Sequence, residues 1–262
     1  MKISALYFGL AAVLFVAFTG CGKDETSGHS EESSAASGPA LHVDLNTTGS
    51  ITGTVALDGM PPRFPAIDMS GEPNCRNTTP VFPQTVVTGK NGALANAVIY
   101  VKSGLGNYRF DPPPDSVALD QKGCMYEPHI VALMVNQSLE IKNDDATIHN
   151  VHPVSKTNEA WNRSQTPGAP PMTISFAKPE LAIPVECNVH PWMRSYMFVF
   201  AHPYYAVTST AGTFELKNLP PGTYTIEVWQ EKFGTQDQTV TVGAKESKTI
   251  SFAFRASGAP RN

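Results

Sequence analysis

Short stretches in which apolar and polar residues alternate recur along the chain from Gly49 onward. Successive side chains of a β-strand point to opposite faces, so this pattern predicts half-buried strands. One further run, Ala97–Val101, is apolar throughout and predicts a fully buried strand. The pattern as a whole predicts an all-β protein. The alternating runs are centred on Ile51, Val55 and Leu57, on Ile183, Val185 and Cys187, on Tyr224, Ile226 and Val228, on Val240 and Val242, and on Ile250, Phe252 and Phe254.

The amino-acid composition agrees with the all-β class, and the net charge bears on the type of partner. The chain has 262 residues, which is enough for one large or two ordinary domains, and its 22 Pro and 20 Gly suit a protein with many turns. Its formal charge of −4 gives no indication of a nucleic-acid partner.

The N-terminus has the features of a targeting segment. Lys2 precedes an apolar stretch that ends at Phe18, which is shorter than the roughly 20 residues that span a bilayer comfortably. The following Thr19-Gly20-Cys21 resembles the end of a bacterial lipobox, which implies a signal peptide at 1–20 and lipidation of Cys21. An uncleaved anchor helix is the alternative. Either way we expect an extracytoplasmic, periplasmic protein held on a membrane, and Gly22 favours the outer membrane by analogy with lipoprotein sorting.

Residues 21–48 contain many Ser, Gly and Glu residues and almost nothing to bury. Such a composition predicts a flexible tether. His29 and His42 lie in this segment, and we expect their side chains to be solvated.

One loop concentrates the candidate chemistry. Cys187, His190 and Met193 fall within seven residues, at the end of an alternating run. A site with two His, one Cys and a weak axial Met is typical of blue-copper electron-transfer proteins. The loop lacks one imidazole, and the segment that contains His149 and His152 is the candidate to supply it.

The loop, with Pro191 and Trp192 between His and Met, resembles the ligand loop of the amicyanins, which are small cupredoxins. The upstream segments Tyr126-Glu127-Pro128, Gln137–Asn143 and His149-Asn150-Val151-His152 follow the same family order. The resemblance implies an inserted cupredoxin Greek-key β-sandwich at 113–202. It also implies one type 1 copper ion, with the roles that follow. By this resemblance the copper ligands are His149, Cys187, His190 and Met193. Asn150 locks the ligand loop, and Trp192 offers a contact to redox partners. His190 carries electrons outward if its ring edge is exposed.

The flanking strands resemble a second family. A Gly-x-Val strand at Gly53 and the turn Leu219-Pro220-Pro221-Gly222-Thr223-Tyr224 are similar to those of carboxypeptidase regulatory-like (transthyretin-like) domains. We therefore expect a discontinuous β-sandwich formed by 49–112 and 203–256, interrupted by the cupredoxin domain. Domain insertion is tolerated where the chain ends meet at a surface loop.

Each of the four cysteines can be assigned a role. Cys21 is assigned to lipid and Cys187 to copper, which leaves Cys75 and Cys124. A remaining pair in an oxidising compartment most often forms a disulfide. The alternative is a second metal site built on Cys124 and His129, but we expect His129, like His152 and His202, to be structural.

The predicted function is transfer of single electrons without bond chemistry on a substrate, so we expect no enzyme activity. A c-type cytochrome or a membrane respiratory or dehydrogenase complex is the expected partner by family analogy. A multicopper oxidase or nitrite reductase would need His-x-His pairs, which the sequence lacks, and a binuclear centre would need a second Cys in the loop. A copper carrier, or a non-redox surface protein that binds a partner through its β-sandwich, remains the alternative.

Overall fold

The computed structural model describes residues 42–75 and 79–256. The predicted signal peptide, lipidation at Cys21 and most of the tether lie outside these residues. No helix among the described residues is long and apolar enough to cross a membrane. The strands, in chain order, are β1 (Gly49–Asp58), β2 (Val98–Ser103), β3 (Val117–Lys122), β4 (Met125–Glu127), β5 (Ile130–Met134), β6 (Leu139–Asn143), β7 (His149–Pro153), β8 (Arg163–Gln165), β9 (Met172–Ile174), β10 (Glu180–Glu186), β11 (Arg194–Phe200), β12 (Tyr205–Val207), β13 (Thr213–Leu219), β14 (Gly222–Gln230), β15 (Gly234–Val242) and β16 (Ser247–Arg255).

Strands from both ends of the described chain form the first sandwich. One sheet has the order β13-β1-β16 and the other the order β12-β2-β14-β15. In β1 alternate residues are buried, as the periodicity predicts, and they enter a core with Ile99, Leu216, Tyr224 and Phe252. Gly53 lies opposite Ile250 in the parallel pairing of β1 with β16, and a Cβ on Gly53 would lie 2.1 Å from the Ile250 carbonyl oxygen. The glycine of the Gly-x-Val pattern is therefore required by close backbone approach.

The intervening strands form the second sandwich. Its sheets have the orders β5-β11-β10-β7-β8 and β4-β3-β6-β9. Its core includes Leu119, Tyr126, Ile141, Val151 and Val185. The all-β class with two β-sandwiches, predicted from the sequence, is confirmed.

An apolar cluster joins the two sandwiches. It combines Val98 and Tyr100 of β2 with Ile130, Phe198 and Phe200 of β5 and β11. The indole of Trp229 packs edge-on against Phe198, with ring centroids 5.0 Å apart. Beside the cluster, His129 Nε2 lies 2.5 Å from Glu231 Oε2.

The connection from β1 to β2 does not stay with the first sandwich. Met69 and Cys75 are buried in the core of the second sandwich, and Ile67 and Val81 pack against that core. Cys75 is joined to Cys124 by a disulfide. Part of the segment 49–112, assigned from the sequence to the regulatory-like sandwich, therefore packs on the second sandwich. The remaining domain limits stay a prediction.

The joining cluster yields a stability prediction. Phe198 is 1% exposed, so Phe198→Ala leaves a cavity and should lower the free energy of unfolding by about 3–5 kcal/mol. The matched control is Phe82→Ala, because Phe82 is 54% exposed and its truncation should change stability by no more than about 0.5 kcal/mol. Denaturant unfolding of both variants measures the difference, and equal losses would contradict the described packing.

Candidate metal centre

Strand pairing brings the two distant sequence motifs together. β7 begins at His149 and runs antiparallel to β10, with Val185 opposite Pro153 and Glu186 opposite His152. The start of β7 and the end of β10 consequently lie at the same end of the sheet. Cys187 follows β10 directly, so the loop before β11 reaches His149.

Three potential ligands converge in a buried cluster. His149 Nδ1 lies 2.8 Å from His190 Nδ1, and Cys187 Sγ lies 4.0 Å from His190 Nδ1. The potential ligand atoms of these residues all lie within 4.8 Å of one another. His149 and His190 are fully buried and Cys187 is 3% exposed. Met193, also fully buried, closes the same loop, since its N–H donates to the His190 carbonyl at 2.9 Å and its carbonyl accepts from the Cys187 N–H at 3.3 Å.

This donor set fits a copper ion. Two imidazole nitrogens and one thiol converge on one buried point, and a thioether residue lies in the same loop. Soft sulfur with imidazole selects copper over hard cations such as magnesium or calcium. The second group of potential ligands, Cys124, Asp145 and His149, does not fit, because the sulfur of Cys124 is in a disulfide. His129 pairs with Glu231 instead of joining Cys124 in a metal site.

The environment favours the ligand form of the cysteine. Burial alone would raise the pKa of the Cys187 thiol, but hydrogen bonds from His149 and from neighbouring backbone groups outweigh it and lower the pKa. A lowered thiol pKa means that the thiolate, which is the metal-binding form, is stabilised. The pKa of His190 is also lowered, by burial and by the nearby His149, and for an imidazole a lowered pKa favours the neutral form, which is the metal-binding form.

Asp145 orients one of the ligands, and sequence reasoning missed it. Its carboxylate Oδ2 lies 2.9 Å from His149 Nε2 and also accepts from the Cys124 N–H at 2.8 Å, while Oδ1 accepts from the Gly123 N–H at 2.6 Å. Burial lowers the pKa of His149, but the Asp145 hydrogen bond overrides this effect and raises the pKa to about 8. Asp145 thus holds the His149 ring with Nδ1 facing the cluster. In the sequence, this contact was indicated by the short separation of Asp145 and His149, which are four residues apart.

An amide network supports the thiol. Asn150 Oδ1 accepts from the Asn188 N–H at 2.7 Å and lies 3.5 Å from Cys187 Sγ. Asn150 Nδ2 donates to the side chains of Asn162 and Asn188. Asn150 therefore ties the ligand loop to the strand that carries His149. Sequence reasoning missed Asn162.

The outward side of His190 differs from the sequence expectation. The ring is fully buried, so His190 does not have the exposed edge through which electrons were expected to leave. Its Nε2 lies 3.7 Å from Cys75 Sγ and 3.8 Å from Glu72 Oε2. Trp192, expected to offer a contact to redox partners, is half-buried. Its Nε1–H donates to the Cys124 carbonyl at 3.0 Å, and its ring centroid is 5.2 Å from that of His190. A docking role for Trp192 stays a prediction.

The other histidines lie apart from the cluster. His152 is half-buried on β7, opposite Glu186 of β10. His202 Nδ1 accepts from the Tyr204 N–H at 3.2 Å, and burial lowers the His202 pKa to about 4. Neither residue belongs to the groups of potential ligands found among residues 42–75 and 79–256.

Comparison with protein families identifies one part of the chain. Residues 199–255 match the model of the carboxypeptidase regulatory-like domain. This match confirms the resemblance predicted for the C-terminal strands, and it leaves the N-terminal half of the predicted discontinuous domain untested. No curated protein sequence matches the chain significantly.

Solved structures similar to part of the chain include cupredoxins and a larger copper-containing nitrite reductase. A purple cupredoxin from Nitrosopumilus maritimus is 16% identical over 32% of this chain and 99% of its own, with a TM-score of 0.28. A reduced Cu(I) amicyanin variant is 19% identical over 39% of this chain and 98% of its own, with a TM-score of 0.30. The copper-containing nitrite reductase of Thermus scotoductus SA-01 is 20% identical over 36% of this chain, with a TM-score of 0.30, and this chain spans only 24% of its length. At these scores the likeness is coarse, and the site rests on its own geometry.

The role of Asp145 is testable through metal affinity. Replacement of a carboxylate that orients a ligating His typically weakens metal binding about 10–100-fold, so Asp145→Asn should weaken Cu(II) binding by that factor. Competition with a chelator of known affinity measures the change. Asp144→Asn is the matched control, because the Asp144 side chain is 42% exposed and pairs with Lys142. An equal effect of both substitutions would show that only general charge matters.

Proposed function

We propose that this protein is a membrane-tethered blue-copper protein that shuttles single electrons between extracytoplasmic redox partners. The observation that carries the proposal is the buried convergence of His149, His190 and Cys187, with Met193 in the same loop. This is the donor set of a mononuclear blue-copper site. The candidate ligands come from two distant parts of the sequence, since His149 begins β7 and the other three residues follow β10. A chance cluster of polar residues within one loop would not include a residue from a second strand.

Copper, when bound in such a site, alternates between Cu(II) and Cu(I) and so accepts and returns one electron. The chain's own residues hold the ion and fix its surroundings. His149 and His190 would hold it through Nδ1, Cys187 through its thiolate, and Met193 would supply a weak thioether ligand.

Rigid support of the ligands favours electron transfer over other chemistry. Asp145 holds the ring of His149, and Asn150 ties the loop of Cys187 to β7. Both ligand segments are attached to paired strands of one sheet. A frame of this kind keeps the ligand positions nearly constant, so little has to reorganise when the charge of the site changes.

The absence of bond chemistry is part of the proposal. Besides the proposed copper ligands, the sequence has no His-x-His pair to build the further copper sites of an oxidase or nitrite reductase. We infer partners that exchange electrons, either a c-type cytochrome or a membrane respiratory or dehydrogenase complex. The lipid anchor at Cys21 would hold the carrier at a periplasmic membrane surface.

A non-redox binding role is the second candidate, and one observation favours it. A cavity of about 620 Å³ lies where the two sandwiches meet, lined by residues such as Tyr100, Leu181 and Phe200. Clefts of this size at domain junctions are common ligand sites. Metal analysis of the purified protein separates the two candidates, since a colourless protein without copper affinity would favour binding alone.

The copper proposal predicts a specific colour. The soluble Cys21→Ser protein should develop an intense blue thiolate band on addition of Cu(II), and ascorbate should bleach it. Cys187→Ser should abolish the band, because no other free cysteine lies in the part of the chain that the structure describes. A band that persists in this variant would point to another sulfur and end the assignment.

The axial ligand predicts a change of potential without loss of the metal. Met193→Gln replaces a soft thioether with a harder oxygen donor, which favours Cu(II) over Cu(I). The variant should keep copper and its band while its reduction potential, measured by spectroelectrochemical titration, falls. An unchanged potential would place Met193 outside the metal's surroundings.

A further inference from the structure

The side of His190 that faces away from the ligand cluster is covered by a segment from the connection between β1 and β2. We propose that this segment, Ile67–Cys75 (the strap), seals the imidazole edge of His190. Redox partners and small solutes then meet the strap and do not contact the ligand directly. The sealing itself needs no metal, whereas its consequence for electron exchange rests on the proposed function.

The contacts on the two sides of the His190 ring support the seal. Nδ1 faces His149 at 2.8 Å, inside the ligand cluster. Nε2, on the opposite side, lies 3.7 Å from Cys75 Sγ and 3.8 Å from Glu72 Oε2. Both of these neighbours belong to the strap, and the ring has no exposed surface.

The strap is anchored by a covalent bond and by burial. Cys75 is joined to Cys124 of the second sandwich and is 2% exposed. Met69 is 7% exposed and lies in the same apolar core as Cys187 and Met193. The strap therefore has a fixed covalent attachment next to His190 and an apolar anchor a few residues before it.

Topology explains why a separate segment can cover the site. The strap lies in the connection from β1 to β2, two strands of the first sandwich. Cys124, its attachment point, lies between β3 and β4 of the second sandwich. The disulfide thus couples the two parts of the chain beside the candidate site, and a connection between two strands of the first sandwich covers a site carried by the second.

Glu72 places a negative charge on the surface that covers His190. Its side chain is 45% exposed, so the carboxylate reaches both solvent and the neighbourhood of His190 Nε2. A partner approaching the metal centre from this side meets a negative charge before the imidazole. A positively charged contact surface is the complementary choice.

Chemical modification of histidine tests the seal without copper. Diethyl pyrocarbonate acylates accessible neutral imidazole, and peptide mass spectrometry reports each histidine separately. The full chain, prepared without metal, should show little modification of His190, while the exposed His42 reacts freely. In the double variant Cys75→Ser/Cys124→Ser, His190 should react about tenfold faster or more, because the strap then opens locally.

Two single variants separate local opening from a loss of folding. Met69→Ala removes the apolar anchor and keeps the disulfide, so it should also accelerate the modification of His190. Asp68→Asn changes a strap residue whose carboxylate binds the Ser70 N–H, and it should leave His190 protected. The rate at His202, on the connection between β11 and β12, reports whether the fold as a whole has loosened.

The outcomes are distinct. Faster modification of His190 in the double and Met69 variants, with His202 unchanged, supports the seal. The seal is overturned if His190 of the unaltered protein reacts as fast as His42, or if the folded double variant protects His190 as well as before. A failure of copper binding would overturn the proposed function and leave this result on the metal-free protein standing.

Discussion

The antiparallel pairing of β7 with β10 is the constraint on which the candidate site depends. It brings the start of β7 to the same end of the sheet as the end of β10, so His149 meets the loop that carries Cys187 and His190. Without this register the imidazole that the loop lacks would lie elsewhere. A shift of one residue would also turn His149 to the opposite face of the sheet.

Burial of three polar ligands makes the surrounding hydrogen bonds necessary. An imidazole or a thiol inside a core is costly unless its polar atoms have partners. Asp145 satisfies the far nitrogen of His149, and Asn150 lies beside the Cys187 sulfur. The same groups that make burial tolerable also fix the directions of the candidate ligands, so the stability of the buried cluster and its geometry have a common origin.

The second sandwich is attached to the rest of the described chain at two places. The apolar cluster around Phe198 attaches it to the first sandwich, and the strap with Cys75 covers the end that carries the candidate metal site. Both attachments follow from a chain that leaves the first sandwich and returns to it. A free-standing domain of the same type would have neither, and its ligand edge would have no such cover.

The sequence by itself determined the strand periodicity, the all-β class, the ligand candidates and the regulatory-like strands, because alternation and short-range spacing are local properties of the chain. Asp145, four residues before His149, was also within reach of local reasoning. The contact between Glu72 and the covered edge of His190 could not be inferred from local sequence, since 118 residues separate the two side chains. Only the tertiary structure decided that the Trp192 N–H bonds to the Cys124 carbonyl and that the strap crosses the end with the candidate site. Such contacts depend on how two sandwiches and their connections pack, which no local pattern records.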